Sequence, residues 1–349
     1  MKTLCILTAG RGIRLNEYST SINKALLPVN RKAAISHIID NFPKKTNLIV
    51  AIGHLGNQVK DFLNLSYPKR KITFVKIKNY SGKKSGPGRS LFDCKAYLKK
   101  DFYFVSCDTL WKNQIDWNKK NNWFGVDTVE IHDSENYCNL KIENNLISGI
   151  SDKKKSDPKY FKAFVGLCHI NDYKIFWNSL KKNNFINKEH QISNGILGLI
   201  SSTKVYPVNV NWIDVGDEKK YEKVIKIFEN FNFSKSDEAL YIVNNKVIKF
   251  FHNSDISKKR VDKSKIKKNI FPNIIYHSGQ FYAYNLVAGE TLYKKNNIDI
   301  FNDLLNWLNK SLWSLQKVES KFIKDACYKF YKEKTNNRLN LFYNKYPNI

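Results

Sequence analysis

The chain has 349 residues, 42% hydrophobic and 14% aromatic, enough apolar material for two packed domains and too much for a disordered protein. Its formal net charge of +28 arises from lysines and arginines spread over the whole length. That spread argues against a nucleic-acid stripe, although a small, highly anionic ligand would profit from the field. No apolar run approaches the ~20 residues that span a bilayer, and the six cysteines have no metal-ligand spacing, so a soluble cytoplasmic protein with reduced core thiols and neither membrane nor nucleic-acid partner is expected.

The chain opens with an apolar run, residues 4–7, that reads as a buried strand. It feeds directly into Thr8, Ala9, Gly10 and Gly12, a turn where the backbone can approach a ligand closely. Arg14 adds a planar charged fork suited to phosphate oxygens, Lys24 a second cation, and Pro28 a stiff exit. A strand leading into a glycine-rich basic loop is a device for cradling a polyphosphate.

Residues 33–41 and 54–65 read as helices, 48–52 and 72–77 as strands, and 79–88 as a polar loop. A helix over 90–99 leads to a buried strand over 102–106. Strands alternating with helices predict a mostly parallel sheet whose ligands gather at the carboxyl ends of its strands. Asp108 emerges at such an end, well placed to hold a divalent ion over bound phosphates. Short strand-like pieces follow at 124–131, 138–142, 146–150 and 163–170, with Asn144–Asn145 as a hairpin turn. Helices are expected at 173–181 and 190–200, a strand at 204–210, and a helix at 221–231 opened by Asp217 as its N-cap.

Two motifs carry a resemblance. Ala-Gly-x-Gly-x-Arg-Leu, followed by Lys-Ala-Leu-Leu-Pro-Val, and later Trp212-Ile-Asp214-Val-Gly with Tyr221 opening a helix, resemble the sugar-phosphate nucleotidyltransferases and their choline-phosphate cytidylyltransferase relatives. The chain departs from that pattern at Asn23, where the family often has Pro, at Ile13, where it often has Thr or Ser, and at Cys107 before the aspartate. The resemblance implies a Rossmann-like, mixed, mostly parallel α/β domain over 1–231. It also implies a reaction that moves a nucleoside monophosphate from a nucleoside triphosphate, with CTP slightly favoured, onto a small phosphorylated acceptor (a phosphorylated amino alcohol or polyol, or a sugar phosphate), releasing pyrophosphate with the help of Mg²⁺. In this reading Asp108 and Asp214 hold the metal, and Arg14, Lys24 and Lys153 bind the reacting phosphates. The small-residue loop Ser85, Gly86 and Gly88 lies beside the base. The product would be an activated unit for surface polysaccharide.

Residues 232–237 read as a linker to a smaller α+β domain over 239–349, with strands at 239–243, 246–251, 274–277 and 281–287, a basic helix at 254–268, and aromatic-rich helices at 298–322 and 324–343. Its order, with Lys249 in Val-Ile-Lys-Phe and then Tyr-Asn-Leu-Val-Ala-Gly-Glu-Thr-Leu, resembles the small lobe and hinge of choline and aminoglycoside kinases. No catalytic-loop motif follows, so no kinase activity is expected. A shortened part of a bifunctional protein and a docking or oligomerisation remnant both stay open, as does a homo-oligomer. A nucleotide-binding scaffold without turnover and a nucleic-acid-binding protein are the rival functions; the second would bind oligonucleotides with a steep salt dependence.

Overall fold

The computed structural model describes residues 2–182, 185–186, 188–228, 237–267, 269–292, 294–295, 297–345 and 347. Strand Thr3–Leu7 runs through the middle of the main sheet, parallel to Asn47–Ile52 on one side and to Phe102–Ser106 on the other. Ile72–Lys76 extends the parallel half. Successive side chains of a strand point to opposite faces. Accordingly Leu4 and Ile6 enter one hydrophobic cluster while Cys5 and Leu7 enter another. This burial on both faces is why the opening run is apolar without alternation.

Beyond Phe102–Ser106 the sheet turns antiparallel. Phe161–Ile170 pairs with that strand, with Asn122–Asp127 and with Cys138–Glu143, and Leu146–Asp152 pairs in turn with Cys138–Glu143. Val205–Asn209 adds a parallel strand beside Asn122–Asp127, giving nine strands among the described residues. Phe161–Ile170 can serve several partners because its register breaks between Phe164 and Cys168. Gly166 stands in that break with φ +83°, a backbone state that side chains disfavour.

Helices Ala34–Asn41 and Gly56–Ser66 cover one face through Ile35, Ile38, Phe62 and Leu63. Helices Pro87–Asp93, Tyr173–Leu180 and Ser193–Ser202 cover the other through Leu91, Phe176, Leu180 and Leu199. The result is the expected mixed α/β sheet between helical layers. The helix expected over 90–99 begins earlier, with Pro87 in its first turn, and ends at Asp93 before a 3₁₀ turn. That expected over 190–200 runs over Ser193–Ser202.

Paired asparagines with left-handed backbones close two hairpins, Asn144–Asn145 and Asn244–Asn245. The second belongs to a four-stranded antiparallel sheet in the order Glu238–Val243, Lys246–Phe251, Phe281–Asn285, Ile274–Ser278. One face, with Tyr241, Ile248, Phe250 and Phe281, merges with the main core. The other carries Phe251 and Tyr282 against Val261 of helix Ser254–Ile266. Because this sheet shares the core, the first compact unit runs over Met1–Val287, past the domain limit expected from sequence. Residues 229–236, where that limit was expected, lie outside the described residues.

The second unit, Ala288–Ile349, is helical over Ile298–Leu312 and again over Ser320–Lys345, each stretch with a π-helical turn. The long helix expected over 298–322 is interrupted at 313–319. Among the described residues no helix is long and apolar enough to cross a membrane.

Candidate active site

Two very short strands set the site. Thr109–Trp111 follows the carboxyl end of Phe102–Ser106 and pairs antiparallel with Trp212–Asp214, with Asp214 opposite Thr109. The Val215 amide donates to the Asp108 carbonyl at 3.2 Å. This register brings together two aspartates separated by about a hundred residues. A Cβ built on Gly216 would lie 2.9 Å from Asp214 Oδ1, 3.4 Å from Asp108 Oδ2 and 3.6 Å from a terminal nitrogen of Arg14. Two carboxylates and a guanidinium thus border one small space.

Each carboxylate is matched by a lysine. Lys24 Nζ donates to Asp108 Oδ2 at 3.0 Å, both side chains being less than one-fifth exposed. Burial pushes the Asp108 carboxyl upward, but the Lys24 ammonium, its hydrogen bond and the Arg14 guanidinium outweigh that and hold it below its usual range. Burial likewise opposes the Lys24 charge, and Asp108 overcomes it, raising the lysine. Lys220 Nζ donates to Asp214 Oδ2 at 2.9 Å and also pairs with Asp217 Oδ2 at 3.1 Å. Tyr137 donates its hydroxyl to the same Asp214 oxygen at 2.7 Å and accepts from Lys220. Asp214 Oδ1 accepts from the Gly216 amide at 2.8 Å. Asp217 Oδ1 accepts from the Lys220 amide at 3.0 Å, an N-terminal helix cap.

The glycine turn is held from below. Thr8 donates its hydroxyl to the Ala51 carbonyl at 2.7 Å, so this side chain is engaged within the sheet. Ala9 is buried and its carbonyl accepts from the His54 amide at 2.9 Å. A Cβ on Gly10 would meet nothing within 4 Å, whereas Gly12 is left-handed with φ +68°. Asn23 is almost fully buried and donates through its side chain to the carbonyls of Thr8 and His54. Its side-chain oxygen accepts from the Ala25 amide and caps the 3₁₀ turn Lys24–Leu26. Cys107 is buried, and burial pushes its thiol up to about 12, so it stays neutral.

Lys153 lies at the edge of this group. Burial lowers its pKa first and the Arg14 guanidinium lowers it further, so the two cations sense one another. Its ammonium donates to the Asn136 carbonyl at 2.7 Å. Beside it, the Asp152 carboxylate is buried, and burial raises this carboxyl against the smaller lowering by a Ser193 hydrogen bond and the Lys153 charge. Ser85, Gly86 and Gly88 pack against a different segment. The Ser85 carbonyl accepts from the His190 amide at 2.7 Å, and a Cβ on Gly86 or Gly88 would come within 2.7 Å of the His190 or Gln191 carbonyl.

Among the described residues no three His, Cys, Asp or Glu side chains group as a metal site. A hard divalent ion that takes one or two protein carboxylates and fills its shell with water and substrate phosphate oxygens suits Asp108 and Asp214. The residues therefore fit Mg²⁺ better than a metal that needs a complete protein cage.

Sequence reading missed Tyr137 and Lys220. Lys220 is signalled only by its i,i+3 spacing from Asp217. Nothing near Tyr137 announces that it faces a residue 77 positions away.

The fold is that of the sugar-1-phosphate nucleotidyltransferases. UDP-glucose pyrophosphorylase complexed with UDP-glucose superposes with a TM-score of 0.55 at 15% identity, covering 65% of this chain and 98% of the other. The inositol-1-phosphate CTP transferase from T. maritima superposes at 0.51 and 17% identity, covering 66% and 98%. In sequence the relatives are GlmU-like. The bifunctional protein GlmU of Methanococcus vannielii is 24% identical over 218 residues, 60% of this chain and 51% of the relative. That of Methanocaldococcus jannaschii is 26% identical over 216 residues, 60% and 50%. The chain thus spans about half the length of these relatives. No family model matches it.

Proposed function

We propose that this chain is a nucleotidyltransferase that moves a nucleoside monophosphate from a nucleoside triphosphate onto a small phosphorylated acceptor. The approach of Asp108 and Asp214 to one point beside Arg14 carries this reading. A phosphate oxygen of the acceptor attacks the α-phosphorus, a new P–O bond forms in line, the α–β bridging bond breaks, and pyrophosphate leaves. The attacker is already anionic, so no general base is needed. The barrier lies in bringing anions together and stabilising the charge that builds.

Arg14 binds the β- and γ-phosphates, Lys24 reaches the α-phosphate or the acceptor's phosphate, and Lys153 binds the acceptor's phosphate. Asp108 and Asp214 would hold Mg²⁺, which when bound would supply charge neutralisation. Tyr137 and Lys220 orient the Asp214 carboxylate. Thr8, Ala9, Gly10, Gly12 and the loop of Ser85, Gly86 and Gly88 shape the nucleotide side.

A sugar phosphate acceptor is supported by the GlmU-like relatives and by the pyrophosphorylase seen with UDP-glucose. CTP and a polyol phosphate are supported by the inositol-1-phosphate CTP transferase. We favour CTP and a cytoplasmic enzyme serving surface polysaccharide synthesis. The test is pyrophosphate release with each triphosphate, Mg²⁺ and a panel of sugar, polyol and amino-alcohol phosphates. Nucleotide binding with no release for any acceptor would reduce the chain to a scaffold.

A further inference from the structure

Lys24 stands in a single 3₁₀ turn, Lys24–Leu26, and its reach depends on where that turn is held. Both ends of the turn are tied to the four-stranded antiparallel sheet. On the near side, the Asn23 amide donates to Gln58 Oε1 at 2.9 Å. Gln58 Nε2 donates to the Ser21 carbonyl at 3.0 Å and to Gln280 Oε1 at 3.1 Å. Gln280 Nε2 donates to the His252 carbonyl at 2.6 Å, anchoring the chain of bonds in that sheet. On the far side, the Tyr241 hydroxyl donates to the Leu26 carbonyl at 2.7 Å in a buried setting. Gln58 and Tyr241 are 5% and 0% exposed, so water does not readily replace either bond.

We propose that the four-stranded sheet is a positioning element for Lys24, acting through Gln280 and Gln58 on the residue before it and through Tyr241 on the turn after it. The polar links are specific in a way that apolar contact is not: Gln58 meets the main chain one residue before Lys24, and Tyr241 meets it two residues after. A sheet docked only by its apolar face could slide without moving the lysine; this one cannot move without breaking bonds on both sides of it. The inference rests on the reading that Lys24 touches a reacting phosphate, and its test separates the two.

Tyr241→Phe keeps the ring and removes only the hydroxyl; Gln280→Leu removes the link to Gln58. In each variant, amide exchange over residues 21–29 should rise about tenfold while that of strand Thr3–Leu7 stays at the parent value, because local opening is decoupled from global unfolding. Unchanged exchange over 21–29, or a rise shared by the strand, would overturn the proposal. With turnover established, each variant should lower kcat about tenfold with little change in KM for the triphosphate, and should lose that effect in a Lys24→Gln background. Equal losses in both backgrounds would overturn it too. If no acceptor supports turnover, the enzymatic reading fails and the exchange measurement alone decides the positioning claim.

Discussion

Asp214 lies directly across an antiparallel pair from Thr109, and this one register places its carboxylate beside that of Asp108. Strands Thr109–Trp111 and Trp212–Asp214 have three residues each, so their pairing is set by their ends. Those ends are the carboxyl terminus of a central sheet strand and the start of helix Glu218–Phe228. The site is therefore a junction between a central strand of the main sheet and the last helix described before the four-stranded sheet.

Asp108→Asn and Asp214→Asn should each reduce pyrophosphate release by ~10²–10³ while leaving the far-ultraviolet circular dichroism close to that of the parent. Near-normal turnover in either variant would remove that residue from the mechanism.

Lys220→Met should tighten divalent metal binding severalfold, because it withdraws the ammonium that now occupies Asp214 Oδ2 and leaves two neighbouring carboxylates less compensated. Titration with Mn²⁺ followed by electron paramagnetic resonance reads this without any turnover. Weaker binding would mean that Lys220 chiefly holds Asp214 in place.

Asp152 gives a pH dependence with a definite sign. Its ordinary value is 3.8, and burial raises it in the folded protein. The folded chain therefore holds this proton more tightly than the unfolded chain does. Its contribution to stability falls as pH rises from 3.8 through the raised value, and at neutral pH a buried carboxylate remains whose desolvation Ser193 and the Lys153 ammonium only partly offset. Asp152→Asn should raise the melting temperature at pH 7, change it little at pH 3, and flatten the profile between. An unchanged melting temperature at pH 7 would show that the carboxylate is compensated.

How much of this was legible in the residues depends on distance along the chain. The opening strand, the helix over Tyr173–Leu180 and the asparagine hairpins follow from local pattern, because periodicity and turn chemistry act over a few residues. Arg14, Lys24 and Asp214 stand in two locally recognisable motifs and Asp108 at the end of an apolar strand, so each could be singled out for the same reason. Tyr137 was not, since its role exists only after Trp212 and Lys220 arrive beside it. The turn at Asn30–Arg31 was missed because arginine is no signal for a left-handed backbone. That one face of the four-stranded sheet joins the main core is not legible, because alternation marks an apolar face without saying what covers it.

Gly166→Ala should cost about 1–3 kcal/mol, read from the midpoint of urea unfolding, because the new side chain meets a left-handed backbone. Its Cβ would also lie 2.9 Å from Ser106 Oγ and 3.0 Å from Thr109 Oγ1, so the crowding falls next to Asp108 and turnover should drop with it. A variant as stable as the parent would mean that the strand relaxes there without strain.

The ring of Phe62 stands 4.9 Å from that of Tyr241 and 6.3 Å from that of Phe281, with its own side chain wholly enclosed. Anyone trimming this protein for crystallisation or biocatalysis should therefore place the cut after Val287. A version ending ahead of Glu238 would leave helix Gly56–Ser66 with a greasy, wetted flank, and sticky, poorly behaved preparations would follow.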